Sequence, residues 1–114
     1  MIIDGTNISM FRGDSECFTI TLYNSEGDVV KFEEGDTVYF TVKENLQTNV
    51  KTLQKVIKEF RDGKAIIELD PDDTKNLPFS KPYIYDVQLT SKDGKVTTIV
   101  PPSRFTLKGD VTSE

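Results

Sequence analysis

The sequence has no histidine, no tryptophan and a single cysteine, Cys17. Without histidine the commonest general base near neutral pH is missing. Cys17 therefore has no imidazole to activate it, and its neighbour Glu16 would raise a thiol pKa rather than lower it. One cysteine also excludes an intrachain disulfide, which suits a reducing compartment. The first residues, MIIDGTNISM, lack the basic region and apolar run of a signal peptide. No stretch approaches the roughly 20 apolar residues of a membrane helix. Positive charge is in deficit: 14 Lys and Arg stand against 19 Asp and Glu, for a net charge of −5. Such a surface repels phosphate, so neither nucleic-acid nor membrane partners are expected. Lys51, Lys55 and Lys58 are diluted by Glu59 and Asp62, and read as a solvated strand face.

The acidic residues sit mainly in turns, and no carboxylate pair stands out for acid–base work. Asp70, Asp72 and Asp73 cluster, but their spacing misses the EF-hand pattern. Asp70 followed by Pro71 and two acids suits a capped helical turn better. No catalytic residue, metal or cofactor is expected, and the chain is read as non-enzymatic. Arg12-Gly13-Asp14 spells a tripeptide that cell-surface receptors read, but its position between two strands makes it a turn.

What the sequence does contain is alternation. In YIYDVQLT, Tyr83, Tyr85, Val87 and Leu89 recur on every second residue, as in a half-buried strand. Asp93-Gly94 then signals a hairpin, with φ > 0 favoured at both positions. Val96, Thr98 and Val100 return along a β-branched strand. Pro101-Pro102 kinks that strand, and Phe105 and Leu107 resume it.

Upstream, residues 1–5 read as a loose start with a turn at Asp4-Gly5. Strands are expected over 6–11, 16–23 and 37–43, with a short one at Val29, Val30 and Phe32. Residues 44–50 read as a loop. Residues 51–60 fit two templates, since Leu53, Val56, Ile57 and Phe60 also have helical spacing. The short length and missing capping box favour a strand, with Asp62-Gly63 joining it to 64–69 as a hairpin. A single helical turn is expected near 71–76, stopped by Pro78, with Leu77 and Phe79 entering the core. Phe11, Tyr23, Tyr39 and Phe79 are too many to bury together, so some should be exposed.

The punctuation implies an all-β fold, an immunoglobulin-like antiparallel β-sandwich of about seven to nine short strands. One domain is expected over 1–114. An antibody domain would add a cysteine pair and a core tryptophan, both missing here. Either Tyr83 or Tyr85 could supply the hydroxyl of a tyrosine corner. The return strand from Lys95 to Leu107 is expected at a sheet edge, making Thr97, Ile99, Pro101, Pro102 and Phe105 the candidate partner surface.

Four segments in this order carry a resemblance: FRGDSECFTITL, FEEGDTVYFTVK, DGKAIIELDPDDTKNL and YIYDVQLTSKDGKVTTIVPPSRFTLKGDVTSE. The chain resembles a family of small proteins from tailed phages and prophages of Gram-positive bacteria. It is similar in layout to the N-terminal immunoglobulin-like domain of phage baseplate upper proteins. The resemblance spans about Ile8 to Glu114 and rests on structural motifs. It implies a virion or assembly component of the tail, baseplate or neck, with other phage proteins as partners and self-association left open. The implied location is the virion, or the host cytoplasm during assembly. The alternative function is a carbohydrate- or host-surface-binding module.

Overall fold

The computed structural model describes residues 1–79 and 81–111. Among these the chain is mostly β, with one short helical turn. In order come β1 (Ile2–Asp4), β2 (Asn7–Phe11), β3 (Glu16–Ile20), β4 (Leu22–Tyr23), β5 (Val29–Val30), β6 (Thr37–Lys43), β7 (Leu53–Ile57), β8 (Ala65–Leu69), α1 (Pro71–Thr74), β9 (Tyr83–Thr90) and β10 (Val96–Lys108).

Alternation is cleanest in β6 and β9, where buried and half-buried residues succeed one another without a break. Those two strands lie side by side at the middle of a six-stranded sheet, in the order β1-β2-β10-β9-β6-β7. The sheet curls like a half-barrel. It is mixed rather than purely antiparallel, because β2 runs parallel to the end of β10, with Ile8 opposite Phe105. Two smaller pairs complete the fold, β3 with β8 and β4 with β5.

The inner face of the main sheet and the β3–β8 pair share one core. Phe40 is its hub: its ring meets Phe18 edge-on at 5.5 Å and lies 5.2 Å from Tyr85 and 6.2 Å from Phe105. Burying each large apolar side chain contributes roughly 1.5–3 kcal/mol, so this layer supplies most of the stabilisation. Phe32 and Phe60 stack at 5.0 Å on the flank of the core.

Several expectations are corrected. Residues 2–4 are not loose: β1 folds back on β2 through Gly5, which supplies a positive φ of 62°. The segment 16–23 is two strands, because the chain changes partners at Thr21, from β8 to β5. Residues 53–57 form a strand, but not a hairpin with 65–69. β7 pairs with β6, while β8 pairs with β3. The Asp62-Gly63 turn closes only the bridge between Arg61 and Lys64. Phe79 is 47% exposed instead of entering the core. It lies against Gly109 and beneath the Arg12 guanidinium, 4.8 Å from its ring centre. Leu77 does pack against the core. At Asp93-Gly94 only Gly94 has positive φ. Ser91 and Lys95 close a three-residue loop there, with the Ser91 N–H donating to the Lys95 carbonyl at 2.9 Å.

The helical turn falls at Pro71–Thr74, within the range expected for it. Asp73 accepts a hydrogen bond from the Asp70 N–H at 2.7 Å, which satisfies one orphan donor of the turn.

Candidate functional site

β10 is an edge over only part of its length. Phe105 pairs with both β9 and β2, Thr106–Lys108 pair with β2, and the Phe105 side chain is fully buried. At Arg104 the backbone N–H is taken by the Asn7 side-chain oxygen at 2.8 Å. From Val96 to Pro102, β9 is the only strand paired with β10 among the described residues. Thr97, Ile99, Pro101 and Pro102 therefore belong to one edge stretch, and Phe105 lies outside it. The Ser91–Lys95 bond sets the phase of the ladder, so the backbone groups of Val96 and Thr98 turn away from β9. Register shifts fall between Thr98 and Val100 and between Val100 and Ser103. The two prolines, which lack N–H groups, sit inside the second shift. Ser103 is braced there, its hydroxyl donating to the Pro101 carbonyl at 2.7 Å and meeting the Thr6 hydroxyl at 2.7 Å.

Both candidate corner tyrosines bond backbone. The Tyr83 hydroxyl donates to the Pro78 carbonyl at 2.7 Å, five residues upstream. The Tyr85 hydroxyl donates to the Thr6 carbonyl, which ties the β1–β2 turn to the main sheet. Burial raises the pKa of both phenols. For Tyr83, Lys81 partly offsets that rise and Glu44 adds to it.

The outer face of the main sheet was not singled out by sequence. Cross-strand register assembles it in rows: Val56, Tyr39, Gln88 and Thr98 in one, Gln54, Thr41 and Asp86 in the next. Gln54 donates to the Thr41 hydroxyl oxygen at 2.9 Å, across β7 and β6. Leu46 and Lys51 from the 44–52 loop wall one side of this face, and Val96 and Pro102 of β10 wall the other. The result is a trough of about 420 Å³. Asp86 sits on its floor. Burial raises the Asp86 pKa, and the nearby Lys43 pulls it partly back. The alternation in YIYDVQLT leaves Ile84, Asp86 and Gln88 on the face opposite the tyrosines. Only the register with β6 shows that this face is one wall-to-wall floor.

The remaining charged candidates hold structural positions. Arg12 pairs with Asp110 at 3.0 Å. The Gly13 N–H donates to the buried Thr74 hydroxyl at 2.8 Å, with Gly13 at φ 84°. Arg12-Gly13-Asp14 is thus a joint between β2, α1 and the residues after β10. Asp73 pairs with Lys55 at 2.8 Å, and Asp72 with Lys75 at 2.7 Å. The Lys75 ammonium holds the Asp72 carboxyl below its ordinary pKa. Among the described residues no group of three or more His, Cys, Asp or Glu is placed to hold a metal ion. Cys17 is exposed on β3. Among the described residues no helix is long and apolar enough to cross a membrane.

Of the aromatics, Tyr23, Phe11 and Phe79 are exposed, and Tyr39 is half-buried in the trough. Lys108 covers the Phe11 ring at 5.5 Å, and Arg12 covers Phe79. No protein-family model, curated protein or solved structure matches the chain.

Proposed function

We propose that this chain is a non-enzymatic component or assembly accessory of a tailed-phage particle, built on an immunoglobulin-like β-sandwich. It acts through protein–protein contacts in the tail, baseplate or neck. It is carried in the virion, or held in the host cytoplasm during assembly. The observation that carries the reading is the stretch Val96–Pro102, where β10 offers backbone hydrogen-bonding groups on its side away from β9. Such an edge accepts a strand from a partner, with main-chain bonds supplying affinity.

The immunoglobulin-like reading is supported by pairing order. The run β10-β9-β6-β7 follows the G-F-C-C′ order of a variable-type sheet, and β3-β8 follows the B-E pair of the facing one. The Tyr83 bond to Pro78, at the corner between α1 and β9, is placed as a tyrosine corner would be. The phage assignment rests on the sequence resemblance.

Mass spectrometry of purified particles and of gradient-separated assembly intermediates tests the role. The chain should co-purify with tail or baseplate proteins in at least one of these fractions. Replacing Thr98 by proline, which removes one outward N–H, should release it from that fraction. Absence from every particle and intermediate overturns the proposal, and so does retention of a folded Thr98→Pro variant.

A further inference from the structure

The outer trough has a chemistry of its own, and the inference from it stands apart from the role in assembly. Its floor is formed by alternate residues of β6 and β9: Tyr39, Thr41 and Lys43 on one, Ile84, Asp86, Gln88 and Thr90 on the other. Only Lys43 and Asp86 are charged, and they have opposite signs. The rest of the floor is furnished with hydroxyls, the Gln88 carboxamide, the Ile84 side chain and one aromatic ring.

Shape narrows the occupant. The walls rise from the 44–52 loop and from the kinked β10, so the floor residues are recessed and half-buried. Two flat faces or two copies brought together would leave this floor unfilled, at a loss of contact. A volume near 420 Å³ is in the range of sites that enclose a narrow guest. Along β9, Ile84 to Thr90 covers six residue steps, about 20 Å of floor. The guest is therefore elongated.

Polarity narrows it further. Lys43 and Asp86 cancel on the floor, so a multiply anionic ligand would meet one uncompensated charge, Lys51 on the wall, and a cationic ligand none. A hydrocarbon would strand the amide of Gln88, the carboxylate of Asp86 and the hydroxyls of Thr41 and Thr90. A guest with alternating hydroxyl donors and acceptors satisfies all of them, since carboxamides and hydroxyls both donate and accept. The Tyr39 ring offers an apolar face for C–H groups, with its hydroxyl able to bond at the rim. We propose that this trough is a binding site for a neutral oligosaccharide lying along β9.

The test is an NMR titration of the ¹⁵N-labelled full chain with cellohexaose, maltohexaose and chitohexaose, with a hyaluronan hexasaccharide as the charged control. At least one neutral sugar should shift the amides of Tyr39, Thr41, Asp86 and Gln88 together, with saturable binding. Tyr39→Ala and Gln88→Ala should each weaken that binding by about tenfold or more. Tyr23→Ala, at an exposed tyrosine on the β4–β5 hairpin, should leave it unchanged. The native amide pattern outside the trough shows that each variant is folded. Failure of all three neutral sugars to shift the trough overturns the proposal. So does preference for hyaluronan, or saturable binding elsewhere that survives both trough variants.

Discussion

Two of the chain's three Asp-Gly turns, Asp62-Gly63 and Asp93-Gly94, do opposite things. At Asp62-Gly63 both residues have positive φ, and the backbones of Arg61 and Lys64 exchange hydrogen bonds at 3.0 and 2.9 Å. This is the tightest hairpin closure chemistry allows, yet it joins strands that part at once, β7 to β6 and β8 to β3. At Asp93-Gly94 the loop is one residue longer and only the glycine is left-handed. That looser turn closes the β9–β10 pairing, which continues through two register shifts as far as Phe105. A turn reverses the chain, but the apolar faces on either side decide whether the arms stay together. Ala65, Ile67 and Leu69 are fully or almost fully buried against the main sheet, which draws β8 out of the plane that β7 occupies.

Truncating an arm of each turn should separate them most. Ile67→Ala on β8 removes a fully buried side chain and should cost about 3–4 kcal/mol. Ile99→Ala on β10, where the side chain is only partly buried, should cost about 1 kcal/mol. Urea denaturation of both variants reads the difference, and equal losses would mean that β8 packs no more tightly than β10.

The glycines come next. A Cβ at Gly63 would lie 2.5 Å from both Cβ and Cγ of Lys31, on top of the strain of φ 73°. At Gly94 a Cβ meets open space, leaving only the strain of φ 84°. Gly63→Ala should therefore cost about 2–3 kcal/mol and Gly94→Ala about 1 kcal/mol. The same denaturation experiment ranks them.

A smaller effect probes the far end of β9. Tyr83→Phe deletes the hydroxyl that bonds Pro78 and should cost about 1 kcal/mol, read as a lowered urea midpoint.

Smallest is a pH effect on the same strand. Burial raises the Asp86 pKa in the fold, so the folded protein holds that proton more tightly than the unfolded chain does. Ionising Asp86 therefore costs stability as pH rises through the window between its ordinary and its raised value. Asp86→Asn should raise the thermal midpoint by about one degree at neutral pH and leave it unchanged near pH 3, where both forms are neutral. Melting curves at the two pH values check the sign.

The legible parts of the fold were those with an internal period. β6 and β9 declare themselves because Val38, Phe40 and Val42, and Tyr83, Tyr85, Val87 and Leu89, each repeat at two. β1 does not, because three residues are too few to show a period, and its pairing depends on the turn at Gly5. The β7–β8 hairpin misled because Asp62-Gly63 carries a local signal, while the partners of β7 and β8 are set by packing distant in sequence. The edge assigned to β10 was legible in Pro101-Pro102, but its boundary was not. That boundary is set by Asn7 and Ile8, nearly a hundred residues away. The trough was least legible, since no single strand contains it.

The parallel pairing of β2 with β10 has a kinetic consequence. Ile8 and Phe105 become neighbours across a separation of 97 residues, so forming this contact means closing almost the whole chain into a loop. Contacts of that range slow folding and come late on the pathway. During synthesis the β1–β2 hairpin leaves the ribosome well before the strand it docks against. In the interval the hairpin is a bare two-stranded unit, marginal in water, with Ile8 and Met10 uncovered. The strand made later is therefore the one that gives the earlier strands their place.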